Sequence, residues 1–308
     1  MSAHRRKILR ARRRRRALVF LVLSITLVFA TTQLVSTLVS GDEPAAADPP
    51  PSVPTDSPAA EPPAAETAAP CESDAVLTAL SAGTDDEVVD AFGGGEAFRA
   101  AVASGAAPCI DLHEADRLWV VANKRNALDP LEYWPTPQGR PQETRVIAGG
   151  WLLQRTAAAL DELSTEMKDA GAGTIAVDSG FRPYDFQVDT YARHVANRGQ
   201  AEADLRSARP GHSEHQTGLA VDVVACGSSG CGDHDGFGGT PQSDWIVENA
   251  WRYGFIVRYE EGHTSTTGYA AEPWHLRYVG PALAEAYADG GFHTLEEFFG
   301  LDPAPDYD

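Results

Sequence analysis

Apolar and polar residues alternate along the chain with two periods, one typical of helices and one typical of short strands. Between residues 148 and 170 apolar side chains recur every three or four positions, which predicts a helix with one buried face. Further helices are predicted over residues 183–197, 244–253, 281–287 and 295–299. Short apolar or β-branched runs predict strands at residues 118–122, 174–177, 219–224, 255–259 and 274–279. Because strands and helices mix without regular crossovers, we predict an α+β fold with a small, mainly antiparallel sheet flanked by helices.

A small helical subdomain is predicted ahead of this main domain, at residues 71–111. Its apolar positions have helical spacing and are Val76, Leu77, Leu80, Val88, Val89 and Phe92. The glycine run from Gly93 to Gly95 interrupts this pattern before a second short helix near residues 96–103. This subdomain is expected to carry no chemistry of its own. The main domain covers residues 112–300 and is expected to contain the functional residues. Residues 301–308 form a tail.

Residues 17–40 contain no charged side chain over 24 positions. A helix of about 20 apolar residues spans a bilayer core, so this segment is predicted to be a transmembrane signal-anchor. A cleaved signal peptide is the alternative, since the small residues Ala45 to Ala47 follow closely, although its apolar region is usually about 7–15 residues long. Residues 41–70 are rich in Pro and Ala, which predicts an extended linker without a core of its own.

The formal net charge of −19 averages two oppositely charged parts of the chain. Residues 1–16 contain nine Lys and Arg side chains and no acidic one, as expected for a basic cytoplasmic head beside a membrane segment. Residues 17–308 contain 16 basic and 44 acidic side chains, a net charge of −28. General nucleic-acid binding needs a basic surface and is therefore excluded. The main domain is expected outside the cytoplasm, anchored to the cell membrane or, if the segment is cleaved, secreted.

Four cysteines follow the membrane segment, in a compartment where disulfides can persist. Four cysteines allow three pairings, and the sequence alone does not choose among them. The most economical pairing joins Cys71 to Cys109 and Cys226 to Cys231. A zinc site at Cys226 and Cys231 is the alternative, but no second cysteine pair or close histidine pair accompanies them.

The strand predicted at 219–224 has one face that suits a metal ion. Side chains alternate along a strand, so Asp222 shares a face with the small residue Ala220, while Leu219, Val221 and Val223 face the other way. An aspartate among valines is costly to bury unless it is paired or bound to a metal. His215 precedes the strand and His275 lies in a later one, and a catalytic zinc takes three such ligands while leaving a fourth position for water. The alternative is that Asp222 only caps a local loop.

Glu272 is the candidate for acid–base chemistry beside this site. Strict strand alternation would place Glu272 and His275 on opposite faces. Pro273 suits the beginning of a strand, so we expect Glu272 just before the strand, free to turn toward the metal as general base and acid. The alternative is that Glu272 is a surface acid and His275 a core histidine. His212 is a candidate for a supporting position behind the metal ligands. Five other histidines are expected at the surface, namely His113, His194, His234, His263 and His293.

Three stretches together resemble one known family. They are SGFRPYDFQ (179–187), PGHSEHQTGLAVD (210–222) and EPWHLRYVG (272–280). In this order they resemble the VanY-like D-alanyl-D-alanine carboxypeptidases, a zinc-dependent family that includes related L,D-carboxypeptidases. The family pattern S-x-H-x-x-G-x-A-x-D is matched by Ser213, His215, Gly218, Ala220 and Asp222. The resemblance covers roughly residues 115–300.

The resemblance implies a role for several residues. His215, Asp222 and His275 would bind Zn²⁺, and Glu272 would be the general base and acid. Arg182 would hold the terminal carboxylate of the peptide, for which a planar bidentate donor is well suited.

Substrate contacts are implied in the same way. Gln187 and Ser213 would hydrogen-bond the substrate backbone, and Trp274 would form a wall beside the leaving residue. The chain departs from the family at Phe181 and Pro183, where the family has Tyr and Ser, so substrate binding is expected to differ in detail.

The resemblance thus predicts an exported zinc carboxypeptidase that removes the C-terminal D-amino acid from peptidoglycan stem peptides. An L,D-carboxypeptidase or a peptidoglycan endopeptidase on the same scaffold is an alternative, because the cleft rim selects the peptide. A third alternative is a non-catalytic module that binds the cell wall. The presence of all three candidate ligands and of Glu272 argues against it.

Overall fold

A computed structural model of the protein describes residues 70–307. The predicted basic head, the transmembrane segment and nearly all of the Pro/Ala-rich linker lie outside the described residues. Within residues 70–307, no helix combines the length and the apolar character that crossing a membrane requires.

A six-stranded sheet forms the centre of the main domain. The strands of the described chain are β1 (Gln138–Gly139), β2 (Arg145–Val146), β3 (Leu152–Leu153), β4 (Thr174–Ser179), β5 (Ala220–Gly227), β6 (Gly230–Cys231), β7 (Phe255–Tyr259) and β8 (Glu272–Tyr278). The sheet has the order β2-β4-β5-β8-β7, with β6 paired to β5, and β1 pairs with β3 separately. Only the β2–β4 pair is parallel among these strands. The predicted α+β class with a mainly antiparallel sheet is confirmed.

Helices precede the sheet, connect its strands and follow it. They are α1 (Asp74–Ala82), α2 (Asp85–Ala91), α3 (Gly95–Ala103), α4 (Gln154–Asp169), α5 (Tyr184–Arg198), α6 (Gln200–Asp204), α7 (Pro241–Asn249), α8 (Thr264–Thr267), α9 (Pro281–Asp289) and α10 (Leu295–Phe299). The helix predicted over 148–170 begins later than expected, because Leu152 and Leu153 pair with β1. The predicted helix at 244–253 is α7 followed by a 3₁₀ turn at Ala250–Tyr253.

The core lies on the face of β5 that the alternation predicts. Leu219, Val221 and Val223 join the main core with the buried stripe of α4, whereas Ala176 and Val224 form a small cluster on the other face of the sheet. Strand pleating therefore places Leu219, Val221 and Val223 on the face opposite to Asp222.

The N-terminal helices share this core. Phe98 of α3 lies 5.1 Å from Trp119 and 6.5 Å from Phe299, measured between ring centroids. Leu77, predicted on the apolar stripe, is instead 49% exposed. The economical disulfide pairing is confirmed. One disulfide joins Cys71 to Cys109, the other joins Cys226 to Cys231 across the β5–β6 hairpin, and a zinc site at the second pair is thereby excluded.

The strand predicted at 118–122 is wrong. These residues are almost completely buried but belong to no strand, and the carbonyl oxygens of Leu118 and Val120 accept hydrogen bonds of 3.1 and 2.7 Å from Arg277. A short apolar run signals burial without distinguishing a strand from an irregular buried segment. The Arg277 side chain thus hydrogen-bonds two carbonyl groups that a neighbouring strand would otherwise pair.

Gly218 is required where the chain turns into β5. Its φ of +72° is left-handed, and a Cβ atom there would approach the backbone nitrogen of Leu153 to 2.8 Å. That nitrogen donates a 2.9 Å hydrogen bond to the Gly218 carbonyl, which locks the turn that delivers His215 to the sheet.

We expect Gly218→Ala to destabilise the protein more than a matched change at Gly105, whose φ is +74° and whose Cβ would contact nothing within 4 Å. Gly105→Ala should lower the free energy of unfolding by about 1 kcal/mol through backbone strain. Gly218→Ala should lower it by about 1–3 kcal/mol more through overpacking. Urea unfolding of both variants measures the difference, and equal losses would contradict the requirement for close approach at Gly218.

Candidate functional site

Three buried side chains from separate elements meet at one point of the sheet. His215 comes from the 3₁₀ turn Glu214–Thr217, Asp222 from β5, and His275 from the neighbouring strand β8, where it pairs with Asp222 in register. The Nε2 atom of His215 lies 3.2 Å from Asp222 Oδ2, and the Nδ1 atom of His275 lies 3.1 Å from Asp222 Oδ1. One ligand atom from each residue lies within 4.8 Å of the others. The structure therefore brings together the three residues that the sequence singles out as metal ligands.

The donor atoms are spaced closely enough to share one metal ion. Bonds of about 2.0–2.2 Å at tetrahedral angles would place neighbouring donors about 3.3–3.6 Å apart. Each histidine nitrogen lies 3.1–3.2 Å from an oxygen of Asp222, His215 from Oδ2 and His275 from Oδ1. The Nδ1 atom of His215 lies 2.8 Å from the Gly180 carbonyl oxygen. Because a carbonyl only accepts, Nδ1 carries the proton and the lone pair of Nε2 faces Asp222 and the site. Two imidazoles and one carboxylate form a ligand set suited to catalytic zinc.

The two histidines differ in proton affinity. Burial, reinforced by Arg182, lowers the pKa of His215 to about 4, so this ring is neutral at pH 7. Burial also opposes protonation of His275, but hydrogen bonds to the carboxylates of Asp222 and Glu214 outweigh it and raise its pKa to about 9. A metal ion therefore competes with a proton for Nδ1 of His275.

Glu272 reaches the same site through an irregularity of the sheet. It is the first residue of β8, not a residue before the strand as the sequence suggests. Tyr259 pairs with Glu272 and Val257 with Leu276, so two steps along β7 correspond to four along β8. This bulge removes the strict alternation, and Glu272 Oε2 lies 3.6 Å from His275 Nδ1. Burial raises the pKa of Glu272 to about 7, close to the value that suits proton transfer near neutral pH.

Arg182 lies beside Asp222. It follows the turn after β4, where its backbone N–H donates to the His215 carbonyl at 3.2 Å. Its Nη1 atom donates to Ser179 Oγ at 3.1 Å and lies 3.7 Å from Asp222 Oδ2. With 22% of its side chain exposed, Arg182 presents a cation to the cavity beside the candidate ligands.

A cavity of about 210 Å³ opens onto these residues. Ser213 and Trp274 line it, as the sequence predicts. Gln187 is not in its wall: the side chain is completely buried and donates to Ser207 Oγ at 3.2 Å and to the Ala208 carbonyl at 2.7 Å. Ser207 and Ala208 do line the cavity, so Gln187 supports the wall from behind.

Glu214 is a site residue that sequence reasoning missed. Its Oε2 atom lies 3.2 Å from His275 Nε2, and its Oε1 atom accepts hydrogen bonds from Arg258 at 2.8 Å and Arg277 at 2.9 Å. Arg277 and Arg258 outweigh the effect of burial and hold the pKa of Glu214 far below its usual range. Arginines within the apolar strands 255–259 and 274–279 were a usable signal, because a buried cation needs a buried carboxylate.

His234, expected at the surface, has 33% of its side chain exposed and also lines the cavity. Its ring stacks on Trp274 with centroids 5.3 Å apart and an angle of 14° between the planes. Its Nε2 atom lies 2.8 Å from Asp178 Oδ2. The segment after the Cys226–Cys231 disulfide therefore forms one rim of the cavity. His194, expected at the surface too, lines the cavity as well.

Comparison with known proteins places these residues in a family. The model of the VanY family, described as D-alanyl-D-alanine carboxypeptidase, matches residues 150–281. The carboxypeptidase-like protein YodJ of Bacillus subtilis (strain 168) is 36% identical to the chain over 192 residues. The match covers 61% of the chain and 69% of YodJ. A D-alanyl-D-alanine carboxypeptidase of Enterococcus faecium is 35% identical over 149 residues, which cover 48% of the chain and 44% of that protein.

Solved structures agree with this assignment. The LdcB LD-carboxypeptidase superposes with a TM-score of 0.55 at 35% identity, over 60% of the chain and 86% of LdcB. A mutant of the vancomycin-resistance D,D-pentapeptidase VanY in complex with Zn(II) superposes with a TM-score of 0.50 at 29% identity, over 60% of the chain and 99% of that structure. The buried ligand set, the family match and these similarities together show that the chain belongs to the VanY family of D-alanyl-D-alanine carboxypeptidases.

Proposed function

We propose that the protein is a zinc-dependent D-alanyl-D-alanine carboxypeptidase that removes the C-terminal D-amino acid from peptidoglycan stem peptides. The observation that carries this proposal is the buried donor set of His215, Asp222 and His275, which opens to a cavity shared with Glu272 and Arg182. Two Enterococcus relatives named D-alanyl-D-alanine carboxypeptidase and a VanY neighbour in complex with Zn(II) support it.

The three proposed ligands would hold zinc through His215 Nε2, a carboxylate oxygen of Asp222 and His275 Nδ1. A zinc ion bound there would polarise the scissile carbonyl and make an attacking water more acidic. Asp222 supplies the one negative charge among the ligands, so the site would keep a net positive charge. That charge favours the oxyanion that develops when a peptide carbonyl is attacked.

Glu272 is the proposed general base and acid. Its carboxylate lies beside the donor atoms, and a pKa of about 7 lets it accept a proton and return it at neutral pH. A bound cation would lower that pKa and favour the basic form. Glu272 would take a proton from the attacking water and deliver it to the nitrogen of the leaving D-amino acid.

The remaining cavity residues would orient the peptide. Arg182 would bind the terminal carboxylate, which restricts cleavage to free C-termini. Ser213 would hydrogen-bond the substrate backbone. Trp274, supported by the stacked ring of His234, would form a rigid wall beside the leaving residue.

We also propose that the domain acts outside the cytoplasm, anchored to the membrane by residues 17–40 and separated from it by the linker at 41–70. Two disulfides support an oxidising compartment, because disulfides seldom persist in the cytosol. The partners would then be the peptidoglycan stem peptide and the membrane.

An L,D-carboxypeptidase is the second candidate, favoured by the similarity to LdcB. We expect mass spectrometry to show loss of one D-Ala from a stem pentapeptide and no further shortening of the tetrapeptide product. Shortening of the tetrapeptide alone would establish the L,D-activity instead. Cleavage inside a cross-linked peptide dimer would establish an endopeptidase.

Glu272→Gln should abolish most turnover while leaving the bound zinc unchanged, because the amide cannot accept the proton. We expect kcat to fall by about 10²–10⁴-fold. Glu261→Gln, in the exposed loop after β7, is the matched control and should retain full activity. Steady-state kinetics and zinc content by atomic absorption separate the outcomes. Full activity of the Glu272 variant would exclude the proposed base.

Zinc affinity should rise with pH between about 6.5 and 8.5. The pKa of His275 is raised to about 9, so below that pH zinc must displace a proton from Nδ1, and less competition remains as pH rises. One displaced proton corresponds to about a tenfold gain in affinity per pH unit. Competition with a chelator of known pH dependence measures the slope. An affinity independent of pH would contradict the raised pKa.

A further inference from the structure

We propose that Glu214 is a positioning residue that presents Nδ1 of His275, rather than Nε2, to the metal. This inference rests on the proposed zinc-dependent function and adds to it a residue that acts through His275. The atom concerned is Nε2 of His275, the ring nitrogen that does not face the metal ligands.

The contacts of the His275 ring decide which of its nitrogens faces the candidate metal site. Its Nε2 atom lies 3.2 Å from Glu214 Oε2, whereas its Nδ1 atom faces Asp222 Oδ1 at 3.1 Å. An ionised carboxylate only accepts hydrogen bonds, so Nε2 must carry the proton that it shares with Glu214. Asp222 is itself a candidate ligand, so the proton that a metal ion would displace is the one on Nδ1, while Glu214 keeps the one on Nε2. A ring flip would leave Glu214 without this partner.

Glu214 is itself held in one orientation. Arg258 Nε and Arg277 Nη1 both donate to Oε1, which leaves Oε2 for His275. The side chains of Glu214, Arg258 and Arg277 are all completely buried. Rotation of the carboxylate would break two charge-assisted hydrogen bonds without water to replace them.

The two arginines are fixed in turn by more distant parts of the chain. Arg258 donates to both oxygens of Glu296 in α10, at 2.8 and 3.0 Å. Glu296 also accepts a 2.9 Å hydrogen bond from Asn123. Arg277 donates to the carbonyls of Leu118 and Val120. The segment containing Leu118, Val120 and Asn123, together with α10, thus forms a rigid support behind the metal centre.

The charges of the buried cluster show whether Glu214 is needed to neutralise His275 or to orient it. Two buried glutamates, Glu214 and Glu296, face two buried arginines, Arg258 and Arg277. The cluster is therefore neutral before His275 is counted. The contact from Glu214 to His275 is not needed to compensate charge, which leaves orientation and basicity of the ring as its effect.

Glu296 provides a matched control, because it is as buried as Glu214 and binds the same arginine but does not contact His275. Glu214→Gln and Glu296→Gln should both lower the urea midpoint of unfolding, since each leaves a buried arginine undercompensated. Only Glu214→Gln should weaken zinc binding, by about 10–100-fold. Chelator competition on the folded variants measures this. Equal zinc affinity of both variants would overturn the proposal.

A measurement on the unmodified full-length protein is independent of whether these variants fold. With ¹⁵N-labelled histidine, the long-range ¹⁵N–¹H spectrum of the zinc-loaded protein should show His275 protonated at Nε2 and zinc-bound at Nδ1. Zinc bound at Nε2 would overturn the role of Glu214 while leaving a zinc enzyme intact. Failure of the protein to take up zinc would instead refute the proposed function on which the inference rests.

Discussion

The buried carboxylate of Glu214 connects the candidate metal site to the rest of the protein. It accepts hydrogen bonds from Arg258 and Arg277 and lies against His275, all without solvent. Removing one partner from such a buried ion pair typically costs about 3–5 kcal/mol, because the remaining charge cannot be hydrated. Strands β7 and β8, the 3₁₀ turn before β5 and helix α10 must therefore meet in one arrangement, and that arrangement also assembles the candidate ligands.

Around this fixed centre, two carboxylates have acquired opposite properties. Asp222 lies between His215 and His275, whose interactions outweigh burial and hold its pKa well below the usual range. For Glu272 burial prevails, with Asp222 adding repulsion, and its pKa rises to about 7. A low pKa suits Asp222 to bind a cation, and a pKa near neutrality suits Glu272 to exchange a proton. The two histidines beside Asp222 and the desolvation of Glu272 produce this difference.

Much of the architecture was accessible from local pattern. Strand β7 lies where its apolar run predicts it, and the face of β5 that carries Asp222 follows from alternation. Prediction failed where pairing decides the outcome. In the run at 118–122, Arg277 rather than a neighbouring strand pairs two of the carbonyl groups. Glu272 turns toward the site through a bulge that depends on the register with Tyr259. The stacking of His234 on Trp274 likewise depends on how a loop returns after its disulfide.

The sequence by itself determined the fold class, the candidate ligands His215, Asp222 and His275, and the candidate base Glu272, because each is marked by residue type and by spacing within a short segment. Only the tertiary structure decided which nitrogen of His275 faces the cation site, how Glu272 approaches it, and which buried charges hold both. These properties arise between segments far apart in the chain. The contacts involved are shielded from water, and their strength depends on the distance between the groups and on their burial. Neither quantity can be inferred from a short stretch of sequence.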